Sequence, residues 1–313
     1  MKYDIVCSTK NLSTEEWLKM RTIGIGGSDA SIIAGCNPYC SIFELWQEKR
    51  GEIPVKEEES EVIHFGKVLE DVVRKEFIQR TGLMVRKKNS ILRSKEYPFM
   101  IADLDGVVSE FDGTYSIFEA KTAIEFKNND WKNGEIPKAY QLQVQHYLAV
   151  TGFQKAYIAV LVGGNKFYWT EVYRDEQLIK MLVSMESHFW HCVREGEEPD
   201  VDASKATSLY LGAKYNNAKV GSVIDLDEKM LSSIEKYEQI KIELDSLTEQ
   251  KRLVENQLKS ALAENEAGRV GGHIVKWKQV VQTRIDSSKL KEKHKDIYDD
   301  CKKEVTYRKF SVA

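Results

Sequence analysis

The sequence predicts a mixed α/β protein, a central mixed sheet flanked by helices, followed by a long heptad helix with a small β unit. Three observations predict it. Capping signals and helical apolar periods mark several helices before residue 83 and two more after residue 138. Between 83 and 119 the apolar runs shorten and are broken by Gly, Asn, Asp or Pro. Beyond about 226 the chain becomes charged and carries an apolar seam in alternating steps of three and four.

Ser13-Thr-Glu-Glu16, ahead of Trp17 and Leu18, has the form of a capping box and starts a helix that stops before Gly24-Ile-Gly-Gly27. A second helix begins near Ser28-Asp29. A third begins near Ser41, where Glu44 repeats the capping spacing. Residues 52 to 60 form an acidic connection, after which His64 to Arg80 reads as an amphipathic helix closed by Thr81-Gly82. Met84-Val85, Ser90 to Leu92, Gly106 to Val108 and Tyr115 to Phe118 read as successive antiparallel strands. Ala139 to Val150 returns to helix. Ala156 to Gly163 and Phe167 to Tyr173 form a strand pair turning at Gly163-Gly-Asn165, and Asp175 to Arg194 is a long helix.

After Pro199 the composition turns small and polar, so residues 1–200 are expected to form the main domain, 201–225 a linker and 226–313 an accessory region. Its helix, about Asp227 to Glu266, places Tyr237, Ile240, Leu244, Leu247, Val254, Leu258 and Ala261 on one seam, interrupted by Lys251. That seam needs a mate, in another chain or elsewhere in this one. His273 to Val281 and Tyr307 to Val312 are expected to form the β unit.

With 313 residues and a formal net charge of −3, the chain can bury a sizeable core but lacks the bulk positive charge of a protein that coats nucleic acid. The cysteines Cys7, Cys36, Cys40, Cys192 and Cys301 are odd in number and widely spaced, and the start has no apolar leader-like run, so a cytoplasmic location is expected. Cys36 and Cys40 have no further clustered cysteines to make a metal or iron–sulfur site with them. The histidines are scattered, and His64 and His146 are expected on helix faces. No stretch approaches the roughly 18 apolar residues that span a bilayer, so no membrane association is expected.

The strongest local signal is Ile117-Phe-Glu119-Ala-Lys121-Thr, because period two puts a carboxylate and an ammonium on one strand face. Asp105 lies fourteen residues upstream, at the start of the preceding strand. An acid, a hairpin and then Glu-x-Lys is the pattern of the PD-(D/E)xK nucleases. Phosphodiester hydrolysis needs charge neutralised on the phosphate and hydroxide generated near neutral pH. Mg²⁺, or Mn²⁺ in its place, held by carboxylates supplies both, with an ammonium beside it. A solvent-facing strand bearing an ion pair would look the same locally, so the weight comes from three further segments.

Residues 21 to 51, RTIGIGGSDASIIAGCNPYCSIFELWQEKRG, resemble the opening motif of the YqaJ-type viral recombinases, relatives of lambda-type phage exonuclease. His64-Phe-Gly-Lys-Val-Leu-Glu70 resembles the second motif, and Ala139 to Gly152 the helix after the catalytic strand. The resemblance covers roughly residues 13 to 200. It implies a PD-(D/E)xK restriction-endonuclease-like core, with Glu70, Asp105 and Glu119 as metal ligands, Lys121 as catalytic lysine, and Arg21 and Ser28 engaging a terminal 5′-phosphate. It also implies a glutamine near the reacting phosphate, Gln145 first and Gln143 second, with Tyr147 packing. Asp103 shares the strand face expected for Asp105, so either carboxylate could be the ligand, and the following glycine favours Asp105.

The function implied is a Mg²⁺-dependent 5′ to 3′ exonuclease on double-stranded DNA ends, leaving 3′ overhangs for single-strand-annealing recombination. Homo-oligomers such as a trimeric ring around DNA, and a single-strand annealing protein, are the partners the resemblance implies, in a bacterial host. A RecB-like structure-specific or single-strand nuclease, and an inactive DNA-binding assembly protein, are the alternative readings.

Overall fold

The computed structural model describes residues 2–55 and 60–312; part of the expected acidic connection, 56–59, lies outside them. The chain divides into two compact units, Met1–Tyr215 and Asn216–Ala313. The boundary falls inside the segment expected to link them. Among the described residues no helix is long and apolar enough to cross a membrane.

The first unit runs β1 (Tyr3–Ser8), α1 (Thr14–Arg21), α2 (Gly27–Ile33), α3 (Ile42–Arg50), α4 (Glu61–Thr81), β2 (Met84–Arg86), β3 (Ser90–Ser94), β4 (Ile101–Asp103), β5 (Gly106–Ser109), β6 (Tyr115–Ala123), α5 (Lys138–Thr151), β7 (Lys155–Val162), β8 (Lys166–Tyr173), α6 (Glu176–Glu195) and α7 (Lys205–Lys214). Two 3₁₀ turns, Glu125–Asp130 and Lys132–Gly134, precede α5. The local signals place the helices well. Ser13 and Ser41 each close a capping box, with Glu16 and Glu44, satisfying N–H groups that the first turn leaves free.

The strands form two sheets rather than one succession. A three-stranded antiparallel sheet has the order β1-β3-β4, and a five-stranded mixed sheet has the order β2-β5-β6-β7-β8. In the larger sheet β6 and β7 run parallel, with Glu119 opposite Ile158 and Lys121 opposite Val160. A parallel pair cannot be joined by a tight turn, and the 3₁₀ turns with α5 make the crossover. β7 lies inside the sheet and is buried from Ala156 to Val160, which is why it reads as a continuous apolar run rather than an alternating one. β4 is only three residues long, and β1, though six residues long, has no regular burial alternation to announce it. Their pairing with β3 is a tertiary event.

One junction prepares the site. Ile25 bridges Met100 in parallel, with its N–H donating to Phe99 O (2.7 Å) and its carbonyl accepting from Ile101 N–H (2.8 Å). The preceding Gly24 is required there, because a Cβ would lie 2.7 Å from Phe99 O. The loop between α1 and α2 is thereby fastened to the start of β4.

Part of the expected linker is helical. α7 is capped by Ser204, and Tyr210 stacks on Phe43 of α3 with ring centroids 5.3 Å apart. The small, polar composition of this stretch hides the helix because only Ala206 and Thr207 are buried on it.

The second unit contains α8 (Met230–Leu262), the hairpin β9 (Ala267–Val270) and β10 (His273–Lys276), then α9 (Ser287–Lys293) and α10 (Lys295–Cys301). The heptad seam falls on α8, and its residues Tyr237, Ile240, Leu244, Leu247, Val254 and Leu258 are all exposed. The expected strand from His273 to Val281 stops at Lys276, and Tyr307 to Val312 forms no strand. Instead the Phe310 ring meets Tyr237 edge-on, 5.6 Å between centroids.

Candidate active site

A cleft of about 590 Å³ opens where α4, β6 and the α1–α2 segment meet the joint between the two sheets. Arg21, Ser28, Glu70, Asp105, Glu119 and Lys121 all line it, as do Asp103 and Gln143. Gln145 does not.

Strand period accounts for the centre. Glu119 and Lys121 project from one face of β6, and Lys121 Nζ donates to Glu119 Oε1 at 2.6 Å while standing 4.8 Å from the centre of the Tyr140 ring. Gln143 Nε2 donates to the same Oε1 at 2.7 Å. Glu119 is 2% exposed, and its other oxygen, Oε2, is buried without a hydrogen-bond partner. Burial, reinforced by the charge on Asp105, pushes the Glu119 carboxyl up to about 8. Burial works against the Lys121 ammonium, but Glu119 and Asp105 hold it above its ordinary range.

Asp105 is fixed by the end of a strand pairing. β5 and β6 pair only as far as Gly106 opposite Phe118, so the N–H of Ala120 has no strand partner and donates to Asp105 Oδ2 at 2.8 Å. Burial raises the Asp105 carboxyl, and Lys121 moderates it. Asp103 was expected on the same strand face. It instead ends β4 in the smaller sheet, with Asp105 in the joint before β5. Both reach the cleft because the chain changes sheets between them. Asp103 Oδ2 accepts the Trp17 indole N–H at 2.8 Å, whereas Asp105 sits against β6.

Glu70 enters from α4. Arg74, one turn on, bonds Asp71 at 3.2 Å, and the cation near Glu70 is Lys87, 3.8 Å from its Oε1. Burial and then the charge on Asp105 push Glu70 up to about 7. Three carboxylates in a shared cleft, with the charge on Asp105 raising both Glu119 and Glu70 and one oxygen of Glu119 buried and unbonded, have the chemistry of a site for a hard divalent cation. Among the described residues no three such groups already converge on a point. The side of Glu119 facing Lys121 and Gln143 is taken, and Oε2 is the oxygen left over.

The glutamine assignment is corrected. Gln145 bridges β8 to α6, its Nε2 donating to Tyr173 O (2.7 Å) and its Oε1 accepting from Asp175 N–H (3.0 Å). At 3.6 residues per turn, Tyr140, Gln143 and Tyr147 share the face of α5 toward the cleft, and Gln145 points well away from it. Tyr147 packs in the core, and its hydroxyl accepts from Gln143 Nε2 at 3.1 Å. Gly27 lets α2 approach α5 here, since a Cβ would fall 2.4 Å from the Tyr147 ring.

Arg21 and Ser28 are together: Arg21 Nη2 donates to Ser28 Oγ at 2.9 Å and pairs with Asp29 Oδ1 at 3.3 Å. The guanidinium also lies 5.2 Å from the centre of the Trp17 ring. His146, expected on a helix face, is fully buried and joins Glu186 (2.9 Å) and Ile101 O (2.9 Å). A carbonyl only accepts, so Nε2 carries a proton, and the second proton is shared between Nδ1 and the carboxylate. His64 is exposed against Phe65. The five cysteines are all free.

Several site residues escaped the sequence reading. Trp17 lies one turn before Arg21 and Tyr140 one turn before Gln143, so helical spacing from the motif residues could have found both. Lys87 and Lys49 carry no such signal.

The YqaJ-like viral recombinase domain profile matches residues 16–154. Over 312 residues the sequence is 42% identical to the YqaJ protein of Bacillus subtilis (strain 168), spanning 99% of this chain and 97% of that one. Among solved structures, it is similar to the alkaline exonuclease LHK-Exo of Laribacter hongkongensis, with 19% identity and a TM-score of 0.48 over 65% of this chain and 100% of that one. It is also similar to a phage-related exonuclease of Haemophilus somnus 129PT, with 15% identity and a TM-score of 0.41 over 58% and 100%.

Proposed function

Since the chain belongs to the YqaJ-like viral recombinase family, we propose that it is a nuclease acting on DNA, and more finely a Mg²⁺-dependent 5′ to 3′ exonuclease on duplex ends. The observation that carries the reading is the buried Glu119, with one oxygen held by Lys121 and Gln143 and the other unbonded, beside Asp105 and Glu70 in one cleft.

Glu70, Asp105 and Glu119 would hold the metal, with Mn²⁺ able to replace Mg²⁺. Bound there, the ion supplies charge neutralisation at the phosphate and a more acidic water. Lys121, fixed between Glu119 and the Tyr140 ring, would orient an attacking water and stabilise charge developing on the phosphate. Gln143 and Lys121 hold Oε1 of the Glu119 carboxylate, which leaves Oε2 unbonded for the metal. Arg21 and Ser28 receive the terminal 5′-phosphate, the guanidinium offering a planar fork of donors beside a hydroxyl. That end-on grip gives the polarity and leaves a 3′ single strand for an annealing partner. A homo-oligomeric ring would supply processivity despite a net charge of −3.

The test is a linear duplex labelled at either 5′ or 3′ ends, incubated with the purified protein and Mg²⁺ or Mn²⁺. The reading expects stepwise loss from phosphorylated 5′ ends that needs the metal and Lys121. Internal cleavage, or indifference to the 5′-phosphate, would instead favour a structure-specific nuclease, and an intact substrate with both wild type and Lys121→Ala would refute the nuclease.

A further inference from the structure

Asp29 is 1% exposed and lies outside the carboxylate cluster, yet three groups share its two oxygens. Oδ2 accepts from Lys49 Nζ at 2.6 Å and from Gly26 N–H at 2.8 Å, and Oδ1 faces Arg21 Nη2 at 3.3 Å. Lys49 comes from α3 with its side chain only 3% exposed, and its Nζ also donates to Arg21 O at 2.7 Å. One buried ammonium therefore fastens both the end of α1 and the start of α2, the two segments that present Arg21 and Ser28.

The charge count gives this arrangement a purpose. Arg21, Asp29 and Lys49 together carry one net positive charge. Asp103 in the same cleft also feels the Arg21 charge and is common to both cases, so without Lys49, Arg21 and Asp29 would form a neutral pair and an incoming phosphate dianion would meet one positive charge fewer. The shorter contact is the one to Lys49, so the carboxylate is satisfied mainly inside the protein, and Arg21, with 32% of its side chain exposed, stays available to the cleft. Burial disfavours charge on Asp29, yet Lys49 and then Arg21 hold its carboxyl below its ordinary range. Behind it, His146 and Glu186 share a proton as a pair of zero net charge and leave the count unchanged.

We propose that Lys49 is a positioning residue that neutralises Asp29, so that Arg21 keeps a net positive charge for the terminal phosphate of a DNA end. It thereby sets the preference for 5′-phosphorylated over 5′-hydroxyl ends. The proposal rests on the assignment of Arg21 and Ser28 to the 5′-phosphate.

The experiment measures binding of the full-length protein to a short duplex carrying either a 5′-phosphate or a 5′-hydroxyl, by fluorescence anisotropy at fixed salt in EDTA. The ratio of the two dissociation constants is the readout, and cleavage is not needed. In Lys49→Met, which keeps most of the aliphatic volume, the preference should fall about tenfold, the size of one charge-assisted contact. In Asp29→Asn/Lys49→Met, which restores the net charge while retaining an acceptor for Gly26 N–H, the preference should return to within a few-fold of wild type. A role of Lys49 in packing alone would not be rescued this way. An unchanged ratio in Lys49→Met overturns the proposal, and so does a double variant as indifferent as the single one. If Lys49→Met does not fold, as judged by circular dichroism, Asp29→Asn is read in its place: it should hold or exceed the wild-type ratio, and a tenfold fall overturns the proposal. Arg21→Ala separates the two levels. If it keeps the wild-type preference, the phosphate assignment itself is wrong; if it alone loses the preference, that assignment stands and the role of Lys49 falls.

Discussion

Helices α5 and α8 show how differently the two units use helical sequence. α5 is buried at every position from Leu142 to Thr151, including two glutamines and a histidine, whereas α8 buries only Leu262 in its 33 residues. Yet α8 has the more regular apolar repeat. Regularity specifies a face, and burial depends on what the rest of the chain brings to that face. In the first unit two sheets and α6 close around α5, so even its polar side chains must find partners, and Gln143, Gln145 and His146 find three different ones. Along α8 the ion pairs stay within the helix, where Glu255 meets Lys251 at 3.4 Å and Lys259 at 4.0 Å, each interaction worth about 0.3–0.5 kcal/mol. Buried charge and its chemistry are concentrated in the first unit.

The sharpest way to break this comparison is to remove the half-buried ammonium at the centre of the first unit's cleft. Lys121→Ala should lower cleavage of a labelled duplex by about 10²–10³-fold, the usual loss when a group that stabilises transition-state charge is removed. Activity within tenfold of wild type would show that the chemistry lies elsewhere. The two glutamines should then separate. Gln143→Ala should cost cleavage about tenfold or more with little change in melting temperature. Gln145→Ala, which loses the bridge from β8 to α6, should lower the melting temperature by roughly 2–6 °C while the rate per folded molecule holds. The reverse pattern would restore Gln145 to the site.

Acidity gives the next effect. Glu119 and Glu70 have folded-state values raised to about 8 and about 7 from an ordinary 4.5, so folding favours their protonated forms. Their contribution to stability is full below pH 4.5 and is lost as pH rises through 7 to 8. In EDTA the melting temperature should therefore fall by roughly 5 °C between pH 6 and 9, and Glu119→Gln should flatten the curve. Added Mg²⁺ should stabilise more at pH 8.5 than at pH 6, because only the ionised carboxylates bind it. A wild-type curve that rises over this range would contradict the buried-carboxylate account. The smallest effect is expected at the other region: Leu244→Asp on α8 should leave the duplex cleavage rate within about threefold, since exposed substitutions change stability by roughly 0.5 kcal/mol or less. A large loss would mean that the seam is covered when the protein works.

The sequence by itself determined what depends on neighbours three or four residues apart, or on alternation along one strand. The capping serines and their glutamates mark the starts of α1 and α3, because both partners of each hydrogen bond lie within one turn. Glu119 and Lys121 share a strand face for an equally local reason, and the seam of α8 could be written down residue by residue. Only the tertiary structure decided the rest. The change of sheet between Asp103 and Asp105, the choice of Gln143 over Gln145, the pairing of β1 and β4 with β3, and the enclosure of Asp29 by Lys49 all join residues distant in sequence or facing different neighbours. Such contacts are selected by which surfaces meet when the core closes, and the periodicity of a single segment contains no record of that choice.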